Sequence, residues 1–406
     1  MNWDVIPDMA GAVIDVSRVR EDTPGCAEVV HLNNAGAALM PKPVFDATVG
    51  HLSREALTGG YEAAEAADER LEHSYDAIAT LLRCDRSEVA LVENATRAWD
   101  MAFYAIPFRP GDRILTGMAE YGSNVIAYLQ VAERTGATVQ VVPNDEHGQI
   151  SLHALRDMLD DRVKLVALTH IPTNGGLVNP AAEVGALAHE AGALFLLDAC
   201  QSAGQLDLDV TALGCDLLSA TGRKWLRGPR GTGFLCARSQ VLDRLVPPML
   251  DQRAADWVAP SEYRIRPDAR RFETWEGSVA GKIGLGVAVD YALELGLPAI
   301  EARVDRLART LRGMLAEVPG VTVHDLGVRR CGIVTLTTDT LTPGQVKAAM
   351  REHRVNVSVA PASGALFDMR ARGLDELVRA SVHYYNTDDE LDRFVTLLAG
   401  ALRSGA

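Results

Sequence analysis

Lysine is scarce in this chain. Only five occur in 406 residues (Lys42, Lys164, Lys224, Lys282 and Lys347), against 35 arginines, so each can be weighed separately as a chemical group. A basic surface is missing too. The formal net charge is −14, and a nucleic-acid binder needs a cationic face to displace phosphate counterions. The six cysteines (Cys26, Cys84, Cys200, Cys215, Cys236 and Cys331) form no C-x-x-C pair and no group with paired histidines. That excludes a zinc site or a disulfide framework, and no metal is expected; beside strand-like runs, Cys200 and Cys236 read as small buried hydrophobes. No apolar run reaches the roughly 18–20 residues that cross a bilayer. The start, MNWDVIPDMAGAVIDV (1–16), lacks the basic-then-apolar plan of a signal peptide. The expectation is a cytoplasmic protein with no nucleic-acid or membrane partner.

What is present is an ordinary globular composition, 48% hydrophobic and 23% charged. Its length suits two or three domains. From residue 88 to 237, short apolar runs alternate with helical patterns. The strand candidates are EVALV (88–92), RILTG (113–117), TVQVV (138–142), KLVALTH (164–170), ALFLLD (193–198), DLLSA (216–220) and GTGFLCA (231–237), with SNVIAYLQVAERTG (123–136) and PAAEVGALAHEAG (180–192) as helices between them. Continuous apolar strands suit a sheet covered on both faces, so the pattern predicts an α/β domain with a mostly parallel sheet. Beyond residue 290 the pattern becomes α+β. Helices are expected at 300–318, 342–353 and 387–402, and strands at VTVHDL (321–326), GIVTLTT (332–338) and VRASVHYY (378–385).

Four segments carry chemistry. In SATGRKWLRGPRGTGFL (219–235), Lys224 follows Thr221, Gly222 and Arg223 at a strand end, and a glycine-rich turn leads into the next strand. The hydroxyl, amides and guanidinium beside the lysine can hold a phosphate, yet no Gly-Lys-Ser/Thr follows the glycines, which excludes a nucleotide P-loop. In ALFLLDACQSAGQ (193–205), an apolar strand runs into Asp198 and then Gln201. A carboxylate there needs a cationic partner, and a protonated pyridine is one. Asn94, Ala95 and Thr96 sit between a strand and a helix, where unpaired amides bind anions. Tyr121 follows the second strand and can stack on a flat ring.

In this order along one α/β domain, the segments resemble those of the fold-type-I enzymes dependent on pyridoxal 5′-phosphate (PLP), and specifically the class V aminotransferase group, which contains cysteine desulfurases, C–S lyases and isopenicillin-N-epimerase-like proteins. The resemblance runs from HLNNAGAALMPKPV (31–44) to VRASVHYYNTDDELD (378–392). It implies a large PLP-binding domain at 31–289, a smaller C-terminal domain at 290–406, and a segment 1–30 packing with the small domain and the active site. It implies that Lys224 is the Schiff-base lysine, that Asp198 pairs with the pyridine nitrogen, and that Gln201 faces the ring hydroxyl together with Thr173, with Asn174 as the rival for that place. It gives phosphate ligands at Ala95, Thr96, Thr221 and Arg223, a stacking ring at Tyr121, a carboxylate-gripping arginine at Arg379, and pocket-lining Asn33 and Asn34. A homodimer with sites between subunits is expected, in which Ser278 of TWEGS (274–278) stands in for the phosphate-binding Gly-Thr of relatives. Lys282 and Lys347, in helical patterns, are expected to be solvated, and Cys26 to lie in an exposed turn.

One departure bears on the reaction. Desulfurases carry a cysteine on the loop before the strand of the arginine, whereas VAPASGALFDMRARGLDELVR (359–379) has none, and counting back from Arg379 puts Gly364 at that place. The reading favoured is a C–S β-lyase acting on an S-conjugate of cysteine. The alternatives are an aminotransferase, or an epimerase or decarboxylating deaminase of the kind that processes cysteine conjugates in lincosamide antibiotic pathways. A non-catalytic PLP-fold binder is disfavoured by the intact Lys224, Asp198 and Arg379.

Overall fold

The computed structural model describes residues 14–404, so the first part of segment 1–30 lies outside the described residues. Seven strands, β1 (Val89–Val92), β2 (Arg113–Gly117), β3 (Thr138–Val142), β4 (Val163–Thr169), β5 (Leu194–Asp198), β6 (Leu217–Thr221) and β7 (Gly233–Ala237), form one sheet in the order β1-β7-β6-β5-β4-β2-β3. β7 pairs antiparallel with both of its neighbours, and every other pairing is parallel. This is an α/β fold with a mostly parallel central sheet. All residues of β5, β6 and β7 are buried, because helices cover both faces. β3 lies at the sheet edge and alternates between exposed and half-buried positions, which is why TVQVV mixes polar with apolar residues.

A second, antiparallel sheet follows, with β8 (Val321–Val323), β9 (Ile333–Thr338), β10 (Ser358–Pro361) and β11 (Glu376–Ser381) in the order β8-β9-β11-β10. Helices Leu297–Ala316 and Pro343–Glu352 pack on it, and helix Asp388–Ser404 packs on those two helices. The middle one starts as its sequence suggests, with Thr342 and Gln345 forming a capping box and Pro343 in the first turn. The chain's early residues join this end of the molecule: Val30–His31 pairs in parallel with Val355–Asn356.

Several elements differ from the sequence expectation. β11 stops at Ser381, and His383, Tyr384 and Tyr385 turn inward to surround the fully buried Arg227 instead of continuing the strand. β8 stops at Val323. An exposed hairpin, Ala255–Ala259 with Glu262–Ile265, and the glycine-rich helix Val279–Leu295 gave no clear periodic signal. That helix packs on helices Lys42–Thr58 and Asp68–Leu82, and this packing overrides the low helix propensity of its glycines. It also holds Lys282, which is half-buried and not solvated, so desolvation lowers its pKa.

Candidate active site

Because β1, β2, β4, β5 and β6 run in one direction, their carboxyl ends open on one edge, where ligands bind in open α/β sheets. A cleft of about 540 Å³ lies there, and its wall includes Ala95, Thr96, Tyr121, Thr173, Asp198, Gln201, Thr221, Arg223 and Lys224. Nine residues singled out from sequence therefore line one cavity.

At one end is the start of helix Ala95–Phe103. The Asn94 side chain accepts from Arg97 N at 2.9 Å, while the first amides, those of Ala95 and Thr96, have no intrahelical acceptor. Gly233, at the start of β7, lets two backbones meet here, since a Cβ on it would stand 2.7 Å from Asn94 C and 2.8 Å from Ala220 O. That is the local reason for a glycine-rich turn after the lysine. The Thr221 hydroxyl makes only a long bond, 3.3 Å, to Thr232 O, and Arg223 donates to Gly36 O.

On the floor, Asp198 is buried. Its Oδ1 accepts from Cys200 N at 2.9 Å and its Oδ2 from Asn124 Nδ2 at 3.0 Å. Burial lowers the pKa of Lys224, favouring the neutral amine that attacks an aldehyde. Gln201 is held by Trp225, whose Nε1 donates to its Oε1 at 2.8 Å, and it donates to Ala35 O at 3.1 Å. Arg379, on β11, lies behind Thr173 and is not itself among the residues that line the cleft. It donates to Thr173 Oγ1 at 2.6 Å and Thr173 O at 3.1 Å, and lies 3.5 Å from Asn33 Oδ1. Its Nε is buried without an acceptor, an incomplete state for a guanidinium 8% exposed. Burial, then the nearby Arg223, lowers its pKa to about 10.

The model for the aminotransferase class V family matches residues 30–394. The chain belongs to that family. A probable cysteine desulfurase of Methanothermobacter thermautotrophicus is 30% identical over 382 residues, covering 92% of this chain and 94% of the relative. A cysteine desulfurase from Thermococcus onnurineus NA1, solved in its apo form, superposes with a TM-score of 0.90 at 27% identity, covering 98% of this chain and all of the other. A lysine-to-alanine mutant of C-DES, solved with glycine covalently linked to its PLP cofactor, superposes with a TM-score of 0.85 at 23% identity over 94% of this chain and 98% of that one, a likeness of fold.

The class V cofactor is PLP, and the donor set fits it. Unpaired amides and hydroxyls at one end suit a phosphate, a carboxylate on the floor suits a pyridinium, and a half-buried lysine with lowered pKa suits an aldehyde. Not every expected residue enters this class V cleft. Asn34 is fully buried, and its amide is spent on His31 O at 3.1 Å and Ser381 O at 2.7 Å while its oxygen accepts from Tyr385, so it ties the early segment to the end of β11 and offers nothing to a substrate. Asn174 turns away from the ring-hydroxyl position to donate to Pro361 O at 2.7 Å, leaving Thr173 on the wall. Ser278 is an exposed N-cap whose oxygen accepts from Gly281 N at 3.0 Å, outside this cleft. Cys26 is half-buried, not exposed, and burial raises its pKa.

Sequence reasoning passed over four residues. Cys200, read as a core hydrophobe, lines the cleft; burial and Asp198 push its thiol well above the usual range. Arg227, at a φ of +62°, ties Leu39 O, Tyr384 and Thr23 together from a fully buried position. Glu120 and Asn124 sit beneath Tyr121 and Asp198. Glu120 left one signal, a carboxylate directly after a buried strand; the other three depend on contacts distant in sequence.

Proposed function

We propose that this PLP-dependent class V enzyme is a C–S β-lyase that cleaves S-substituted cysteine, and that it works without a sulfur-accepting thiol. The observation that carries this reading is the thiol-free segment 359–378, anchored at the mouth of the cleft. A Cβ on its Gly364 would stand 2.6 Å from Asn174 Oδ1, so a side chain there would have to displace Asn174. A Cβ on Gly122, the residue after Tyr121, would collide with Ser363 O, so this segment packs against the start of helix Gly122–Thr135. A desulfurase requires a mobile, accessible thiolate, whereas Cys200 is a half-buried floor residue whose pKa burial and then Asp198 raise.

In this reading each residue has one task. PLP, when bound, supplies the electron sink for negative charge at the substrate's α-carbon. Lys224 would hold the cofactor covalently, and its amine, with lowered pKa, would take the α-proton. Asp198 faces the pyridine nitrogen, Tyr121 covers the ring, and Gln201 with Thr173 faces the ring hydroxyl. Ala95, Thr96, Thr221 and Arg223 hold the phosphate. Arg379 grips the α-carboxylate through its unpartnered edge, beside Asn33. Loss of the β-thiolate then leads to pyruvate and ammonia.

We also propose a homodimer. Helix Lys42–Thr58 exposes Phe45, Val49 and Leu52 along one face, and Trp257, Tyr263 and Trp275 are 74%, 60% and 60% exposed, the apolar area a second copy would cover. Ser278 would then face the partner's phosphate. Product analysis with cysteine, cystine and bulky S-substituted cysteines tests the reaction. Pyruvate, ammonia and a released thiol support it, while a keto acid with accumulation of the aminated cofactor replaces it with transamination.

A further inference from the structure

Beneath the cleft lies a cluster to which the reaction assigns no task. Glu120 is 1% exposed, and four donors from three elements converge on it. Tyr121 N lies 2.8 Å from Oε1, Asn124 Nδ2 2.8 Å from Oε1, and Thr116 Oγ1 2.7 Å from Oε2, with the Thr169 hydroxyl donating to Oε1 as well. No arginine or lysine bonds to it among the described residues. Asn124 spends its two amide hydrogens on two carboxyls, Glu120 at 2.8 Å and Asp198 at 3.0 Å. Because both neighbours are acceptors, the Asn124 amide has one admissible orientation, nitrogen toward Asp198. With Oδ1 taken by Cys200 N, this hydrogen bond fixes the rotation of the Asp198 carboxyl about its floor position. The same Glu120 oxygen holds the backbone N–H of Tyr121, the hinge from which the aromatic ring leaves helix Gly122–Thr135.

We infer that Glu120 is a positioning residue for the cofactor: through Asn124 it orients the carboxylate facing the pyridine nitrogen at the ring's edge, and through the Tyr121 amide it sets the aromatic that covers one face of the ring. The edge contact and the stacking contact are thereby referenced to one buried oxygen, Glu120 Oε1. This inference rests on PLP occupying the cleft and is independent of which reaction follows, so product analysis cannot decide it and its own failure leaves the lyase reading intact.

The test is PLP affinity and the visible circular dichroism of the bound cofactor, measured on wild-type protein and on Glu120→Ala, Glu120→Gln and Asn124→Ala. Glutamine keeps an acceptor oxygen where Oε1 stands, and its nitrogen can donate to the Thr116 hydroxyl, so Glu120→Gln should retain near-wild-type affinity and signal. Glu120→Ala should weaken PLP binding by roughly tenfold or more, as expected for loss of buried hydrogen bonds, and change the dichroic band, which reports ring orientation. Asn124→Ala should produce the same two changes, and it carries the test should Glu120→Ala fail to fold. Wild-type affinity and dichroism in the alanine variants, with only a lower melting temperature, would make Glu120 a structural residue and overturn the inference. Equal losses in Glu120→Gln and Glu120→Ala would overturn it too, since charge and not placement would then be the agent.

Discussion

Arg379→Lys tests the substrate end of the site. The guanidinium spends one terminal nitrogen on Thr173, leaving Nε without an acceptor and the other terminal nitrogen 3.5 Å from Asn33 Oδ1. A carboxylate arriving there can accept two parallel hydrogen bonds. Lysine presents a single ammonium on a more flexible stem, so at least one of the two is lost. A hydrogen bond to a charged group contributes about 1.5–3 kcal/mol, and about 1.4 kcal/mol corresponds to tenfold. Amino-acid binding should therefore weaken roughly 10- to 150-fold while PLP affinity stays near wild type. The pH dependence has a definite sign. Burial and Arg223 lower the Arg379 pKa to about 10, so the folded protein carries a cation at a cost that persists below that pH and is relieved above it. Binding of a carboxylate offsets this cost, and wild-type affinity should hold through neutral pH and fall as pH rises through about 10. In the variant the fall should begin at lower pH, because a buried ammonium loses its proton more readily than a guanidinium. The assay is titration of the cofactor absorbance with an unreactive α-amino acid between pH 7 and pH 11, limits chosen to bracket that value. An unchanged affinity and an unchanged pH limb would remove Arg379 from the substrate site.

Lys224→Ala should fold normally yet lose both the absorption band of covalently held PLP and all turnover; measurable turnover in that variant sinks the assignment. Asp198→Asn should still bind PLP but lower turnover by about 100-fold or more, since the ring nitrogen loses its charged partner, and near-normal rates would reduce Asp198 to a cap for Cys200 N. Gly364→Cys should not create a desulfurase: its Cβ overlaps Asn174, so the expected result is destabilisation by about 1–3 kcal/mol in chemical denaturation, with no persulfide by mass spectrometry. Cys26→Ser should retain full activity, and thiol alkylation of the PLP-loaded protein should not inactivate it; a substrate-derived sulfur on any cysteine, with activity lost on its replacement, would restore a desulfurase reading.

The sequence by itself determined the sheet, the order of its strands along the chain, and most of the cleft's residues, with Thr173 placed by the family resemblance alone. It could do so because strands buried on both faces are continuously apolar, and because ligand-binding residues in this architecture follow strand ends, where position along the chain translates directly into position in space. Lys224, Asp198 and Thr96 were legible for that reason. Only the tertiary structure decided which polar groups remain available. Asn33 and Asn34 are identical neighbours in sequence, yet one reaches Arg379 and the other is consumed by Ser381 and Tyr385. Thr173 and Asn174 divide in the same way between the cleft and Pro361 O. Arg227 and Asn124 carry no local pattern, because partners such as Tyr384 and Asp198 come from other elements. Hydrogen bonds are short and directional, so a rotation of one side chain exchanges a ligand for a structural tie, and that rotation is set by packing that periodicity does not encode.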